Sequence, residues 1–232
     1  TRRSSDLYID GALHDDFNSY TTIDDAVGSG NWQYYGTNGG STIGISSGKV
    51  EMTAGGTVGR PSANLRFPDL NFTHTIQADI TVTDVQTDDP TMPRPRSRIQ
   101  DYTYNNGTND VYVNINVKGD KVTYGIAEQI DGDTISWSML DSGDLLTGLS
   151  PGPGNTVTVK LEWTGSAVNL YAEPYPTAPV TPRAQYFPTG TTNGPVNPGA
   201  WFNTRINFYS TVTPTFSWTP VAGANYYRVR IY

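Results

Sequence analysis

One stretch limits this chain more than any other. From Phe72 to Val85, Phe72, His74, Ile76, Ala78, Ile80 and Val82 alternate with Thr73, Thr75, Gln77, Asp79 and Thr81. A period of two sorts side chains onto two faces only when the backbone is extended; on a helix both kinds would be scattered around the axis. One apolar and one polar face describe a half-buried antiparallel strand. The pattern recurs at Val111, Val113, Ile115 and Val117, where Gly119-Asp120 turns the chain into Val122, Tyr124 and Ile126. It returns at Val157, Val159, Leu161 and Trp163, closed by Gly165-Ser166 before Val168, Leu170 and Tyr171. Shorter strands are predicted at Trp32–Tyr35, at Ile43–Ala54 around a Ser46-Ser47-Gly48 turn, at Ile130–Trp137 around Asp131-Gly132-Asp133, and at Phe202–Tyr209. Composition agrees. Gly (24) and Pro (16) punctuate the chain, and Glu51, Glu128, Glu162 and Glu173 are the only glutamates, the other acids being turn-favouring Asp. No helix is expected, and at most a short turn over Asp141–Leu149. The chain reads as all-β.

Size and charge narrow the role. The 232 residues suffice for one large β-domain, since sandwiches of about 200 residues commonly share one core. A net charge of −7 weighs against nucleic acid or an anionic membrane as partner. No apolar run approaches the roughly 20 residues of a membrane span. No Cys is present, so the fold needs no disulfide. The sequons at Asn71 and Asn106 are silent in a bacterial setting.

The order of short motifs then matters. Asp16-Phe17, a Trp32-containing strand, Ser47-Gly48-Lys49-Val50, the long alternating strand, and Lys160-Leu161-Glu162-Trp163-Thr164-Gly165 returning to Leu170-Tyr171 follow one another. The series resembles the concanavalin A-like lectin/glucanase jelly roll, including laminin G-like domains, over residues 8–211. The resemblance implies a two-sheet antiparallel jelly-roll sandwich spanning 1–211, with sugar-binding or catalytic groups on a concave face. It also implies a structural Ca²⁺, which needs six to eight oxygen ligands; Asp15 and Asp16, near the N-terminal strand, are the candidates. The other Asp clusters lack EF-hand spacing, and Asp131-Gly132-Asp133 reads as a hairpin turn.

Catalysis finds no motif. Glucanases of the family carry Glu-x-Asp-x-x-Glu on a strand, because retaining hydrolysis needs two carboxyls about 5 Å apart. No two of the four glutamates lie within ten residues of each other. Only His14 and His74 could serve as a histidine base, His74 lies on the apolar face of its strand, and no Gly-x-Ser-x-Gly elbow is present. The expectation is a chain that is not an enzyme.

Binding residues are easier to nominate. Tyr112 is out of phase with Val111, Val113 and Ile115, so it shares a polar face with Asn114 and Asn116. Arg96, Arg98, Gln100, Tyr102 and Tyr104 alternate on a candidate neighbouring strand. Rings stack on the apolar face of a pyranose while amides and guanidinium groups bond hydroxyls or carboxylates, so Arg96, Arg98, Tyr102, Tyr104, Tyr112, Asn114 and Asn116 form the candidate glycan site. An ordinary solvated sheet face has the same pattern. Trp32, Trp163, Trp218, Tyr124 and Trp137 read as core. The proline-rich loop Asp88–Arg96 reads as a rigid connection or a basic lip for acidic sugar. The Pro174–Gly199 stretch, with seven prolines, reads as a cap on one end of the sandwich or an arm to a neighbouring module.

The final segment has its own signature. Pro214, Phe216, Trp218, Pro220, Val221, Gly223, Ala224, Tyr226, Tyr227 and Val229 resemble the opening hairpin of a fibronectin type III domain. Such a domain needs about 100 residues, and two strands bury no core of their own. Residues 212–232 are therefore expected to start a further module of a longer protein, secreted or on a bacterial surface. The functional expectation is a non-catalytic glycan-binding or adhesion module, with polysaccharide or neighbouring modules as partners. The alternative is a structural repeat of a surface layer, filament or stalk.

Overall fold

The alternating segments become strands whose apolar faces meet. The computed structural model describes residues 7–9, 12–14, 17–38, 40–53, 62–67, 70–82, 94–118, 120–130, 137–149, 155–196 and 198–207. The fibronectin-like segment, the 211/212 boundary, Asp15 and Asp16 lie outside them. A seven-stranded antiparallel sheet forms one layer, made of β3 (Gln33–Asn38), β6 (Ser62–Phe67), β8 (Arg94–Asn105), β9 (Asp110–Lys118), β10 (Lys121–Gln129), β11 (Trp137–Leu146) and β15 (Ala200–Asn207). Its order is β11-β10-β9-β8-β15-β6-β3. The second layer has the order β14-β13-β12-β7, from β7 (His74–Val82), β12 (Asn155–Trp163), β13 (Val168–Pro174) and β14 (Ala184–Tyr186). The hairpin β4 (Thr42–Ser46) and β5 (Lys49–Thr53) and the pair β1 (Leu7–Ile9) and β2 (Ala12–His14) are the other strands among the described residues. The chain is an all-β, antiparallel jelly-roll sandwich.

The core follows from the period-two pattern. Val111, Val113, Ile115 and Val117 of β9 face Val157, Val159, Leu161 and Trp163 of β12 in one buried cluster. Ile115, Val159, Leu161 and Leu170 are wholly buried, each contributing about 1.5–3 kcal/mol by leaving water. A second cluster gathers Trp32 and Leu65 with Ile43, Ile45, Val50 and Met52, so the β4–β5 hairpin covers the inner face of the sheet beside β6.

Two expectations change. A helix does form, α1 (Ile23–Gly28), where no periodicity announces one. It is a capping device: Asp25 N donates to Thr22 Oγ1 at 3.2 Å, and the Asp25 carboxylate accepts from Thr22 N at 2.9 Å. Asp141–Leu146 is strand, not turn. β11 stays paired with β10 through two register shifts, and Gly143 permits the approach: a Cβ there would lie 3.0 Å from the Tyr124 ring.

Candidate functional site

The outer face of the seven-stranded sheet carries the polar row. Cross-strand register puts Tyr102 opposite Tyr112, Gln100 opposite Asn114, and Arg98 opposite Asn116. On the other side of β8, Trp201 pairs with Gln100 and Asn203 with Arg98. Tyr102, Tyr112, Arg98, Asn114 and Asn116 therefore come together as the alternation predicts. Arg96 stands opposite Arg205 in the same register.

Tyr104 does not join them. The ladder slips between Tyr102 and Tyr104, leaving Thr103 as the extra residue, and Tyr104 pairs with the core residue Val111. A bulge of one residue reverses the phase of everything after it. Tyr104 is buried and stacks on Trp163 at 5.0 Å with an 18° interplanar angle. Burial pushes its phenol up, with Tyr186 and Glu128 adding to the shift.

The bulge is anchored from inside. Asp101 Oδ2 accepts from Thr103 Oγ1 at 2.9 Å and lies 2.8 Å from His74 Nε2, tying β8 to β7 across the core. His74 Nδ1 faces the carbonyls of Asn71 and Phe72 at 2.8 and 3.2 Å. Acceptors surround both ring nitrogens, an arrangement that favours the doubly protonated ring paired with the Asp101 carboxylate. Burial by itself would lower the His74 pKa; the Asp101 bond and charge, with the two carbonyls, outweigh it and raise it. His74 is the satisfied interior histidine expected from its phase.

At the same end, four rings form a patch. Tyr112 and Trp137 meet at 4.1 Å, Tyr102 and Trp201 at 5.2 Å, and Tyr102 lies 6.3 Å from Trp137. Tyr102 and Trp201 are nearly buried and form a floor, while Tyr112 and Trp137 keep partly exposed rings. Trp137 was expected in the core. The register shift between Ile126 and Ala127, which places Trp137 opposite Gln129, is invisible to spacing. Arg66, which the alternation did not single out, lies over the Trp201 ring at 4.7 Å. Its guanidinium also donates to Gln33 Oε1 at 3.4 Å and to the Pro198 carbonyl.

The Pro/Gly segment after β13 closes this end. Asn193 and Asn105 exchange backbone hydrogen bonds at 2.9 Å. Val196 N donates to the Asp110 carboxylate at 3.0 Å. Between this segment and the strand ends is a cavity of about 180 Å³ with His74, Tyr102, Phe72 and Pro195 on its wall. Beyond β3, a shallower depression of about 390 Å³ is lined by Asp24, Tyr34, Thr37 and Thr42.

Acidic groups are few on the outer face. By register its described acids are Asp110 and Asp144, the latter level with Asn116 through Thr123. Six residues of strand, roughly 20 Å, separate those levels, far from the spacing of about 5 Å that retaining hydrolysis requires. Asp110 is also engaged by Asn105 and Val196. Glu162 serves the other sheet, where Asn169 Nδ2 and Tyr171 Oη donate to it at 2.8 Å and hold its pKa low. Among the described residues no group of three or more His, Asp or Glu is placed to hold a metal ion, and no helix is long and apolar enough to cross a membrane.

No protein-family model matches the chain, and no curated protein matches it. Solved structures do. The LamA catalytic domain of Zobellia galactanivorans, a laminarinase, aligns over 75% of this chain and 73% of that one, at 10% identity and a TM-score of 0.43. A LamA variant from the same organism, in complex with laminaritriose and laminaritetraose, aligns over 88% and 92%, at 10% identity and a TM-score of 0.49. At this identity the likeness concerns the fold. With a glycan-degrading enzyme among the neighbours, two expectations are withdrawn: a chain that is not an enzyme, and a non-catalytic adhesion or structural module. Both rested on a missing motif.

Proposed function

We propose that this chain is a carbohydrate-active domain that takes a polysaccharide across the outer face of its seven-stranded sheet. The ring patch of Tyr102, Tyr112, Trp137 and Trp201 carries the reading. Two nearly buried rings hold two partly exposed ones rigidly, which lowers the entropy lost when a ligand stacks on them. Beside the rings lies a row of hydrogen-bonding side chains. Asn114 Nδ2 donates to the Gly125 carbonyl at 3.1 Å, and Asn116 Nδ2 donates to Asn114 Oδ1. Asn116 Oδ1 is buried with no partner among the described residues.

The test is calorimetric titration of the protein with laminaritetraose and with an acidic oligosaccharide, using the wild type and the Trp137→Ala and Tyr112→Ala variants. Removing an aromatic anchor is expected to weaken binding about tenfold or more. New reducing ends in the same mixtures report whether the bound chain is cut. A folded protein that binds no glycan, or binds equally well without either ring, refutes the proposal.

A further inference from the structure

The sequence contains three Asn-Gly pairs, at Asn38, Asn106 and Asn193. Such a pair carries its own reaction. Glycine has no side chain to shield its backbone nitrogen, so that nitrogen can reach the asparagine carboxamide one residue back. Whether it does depends on what each atom is already bonded to, and the fold treats the pairs differently. Gly39 lies outside the described residues.

Asn106-Gly107 is locked. Gly107 N donates to Asn105 Oδ1 at 2.8 Å, so the attacking nitrogen is engaged. The Asn106 carboxamide is held at both ends: Nδ2 donates to Glu128 Oε2 at 2.9 Å, and Oδ1 accepts from Thr108 N at 3.1 Å and Asn109 N at 2.8 Å. Asn193-Gly194 is open. Both residues are exposed. The bonds of Asn193 to Asn105 use its backbone N and O, while its carboxamide and Gly194 N take part in no hydrogen bond among the described residues. A Cβ at Gly194 would meet nothing within 4 Å, whereas one at Gly107 would meet Thr191.

We infer that Asn193 is a site of spontaneous covalent modification in the folded protein, converted to aspartate and isoaspartate while Asn106 keeps its amide. Solvent hydroxide takes the proton of Gly194 N, and the nitrogen bonds to Asn193 Cγ. The Cγ–Nδ2 bond breaks as Nδ2 takes a proton from water and leaves as ammonia, and a cyclic succinimide remains. Water then opens the ring at either carbonyl. Opening at Cγ gives aspartate. Opening at the backbone carbonyl gives isoaspartate, whose main chain runs through the former side chain and gains a methylene.

The position gives this change a consequence. Asn193 lies between two further ties of the Pro/Gly segment to the sandwich: Thr192 Oγ1 donates to the Gly165 carbonyl at 3.2 Å, and Val196 N donates to the Asp110 carboxylate. A methylene added after Asn193 puts the ties at Asn193 and Val196 out of step. Gly194 and Pro195 line the cavity that His74 and Tyr102 also line, so the modification loosens the closure at the ring end of the sheet.

The experiment ages the whole chain in warm, mildly alkaline buffer and follows both sites by peptide mapping with mass spectrometry. An isoaspartate-specific methylation assay separates the two products. In the folded protein Asn193 is expected to convert at least about tenfold faster than Asn106. In urea the protecting bonds are gone and the difference is expected to vanish. Aged wild type is expected to be cut by protease within the Pro/Gly segment faster than aged Asn193→Gln, whose longer side chain cyclises far more slowly. Equal rates at the two sites in the folded protein, or a difference that persists in urea, overturns the assignment of the site. Conversion at Asn193 with no change in proteolysis overturns the loosening.

Discussion

Asp101→Asn is the substitution that most directly tests how the core holds the site. The change keeps the shape of the side chain and removes its charge. In the wild type, Oδ2 serves both His74 and Thr103, while Oδ1 has no partner among the described residues. The pair is interior, with side-chain exposures of 7% for His74 and 0% for Asp101. Removing one partner of a buried pair costs about 3–5 kcal/mol, because the other charge is left in a medium that cannot solvate it. For a domain of this size that corresponds to a fall in Tm of roughly 6–20 °C. The pH dependence gives a second readout. The folded His74 pKa is raised, so folding binds this proton more tightly than the unfolded chain does. Its stabilisation is complete below the ordinary histidine pKa of about 6.5 and is lost as pH rises through the folded value. Thermal melts of both proteins between about pH 5 and pH 9 should show a wild-type Tm that falls across that window, and a variant without that decline. A variant that melts within about 2 °C of wild type, or keeps the same slope, refutes the charged-pair assignment.

Other expectations are more local. Tyr104→Ala removes a ring stacked on Trp163 in the core and should cost about 3–5 kcal/mol in denaturant unfolding. Glu162→Gln should lose about 1–2 kcal/mol at neutral pH. Because the Glu162 pKa is lowered by Asn169 and Tyr171, its stabilisation is present above the ordinary carboxylate range and disappears as pH falls through the lowered value. Acid melts of the variant should therefore lack part of the wild-type slope. Gly199→Ala places a Cβ 2.8 Å from Arg66 Nε at a φ of 135°. It should displace Arg66 from Trp201 and weaken glycan binding, read by calorimetric titration with laminaritetraose.

Much of this architecture is legible in the sequence, because a half-buried strand writes its two faces into alternate residues. β7, β9, β10, β12 and β13 fall where alternation puts them, and so does the row Tyr112, Asn114 and Asn116. What alternation cannot show is a slip in the ladder. The extra residue at Thr103 sends Tyr104 inward, and the shift in β11 brings Trp137 out beside Tyr112. Helix α1 was hidden for a different reason. It is a single capped turn held by Thr22 and Asp25, too short for any period to register. Arg66 escaped notice because its role depends on a neighbour far along the chain, Trp201, brought beside it by β6–β15 pairing.

The bulge at Thr103 also explains why the core pair and the outer rings belong to one device. Asp101 points inward and Tyr102 outward on adjacent residues of β8, so whatever fixes the rotation of the strand at Asp101 fixes the plane from which Tyr102 supports Tyr112 and Trp201. The bridge from His74 and the bond from Thr103 add to the burial of Ile99 and Tyr104 in fixing this register; a slip by one residue would turn Tyr102 into the core and Tyr104 out. A net charge of −7 argues against anionic partners only while charge is averaged over the molecule. The strand ladder around a ligand on the outer face, more than the sum over the chain, sets which charges it meets first.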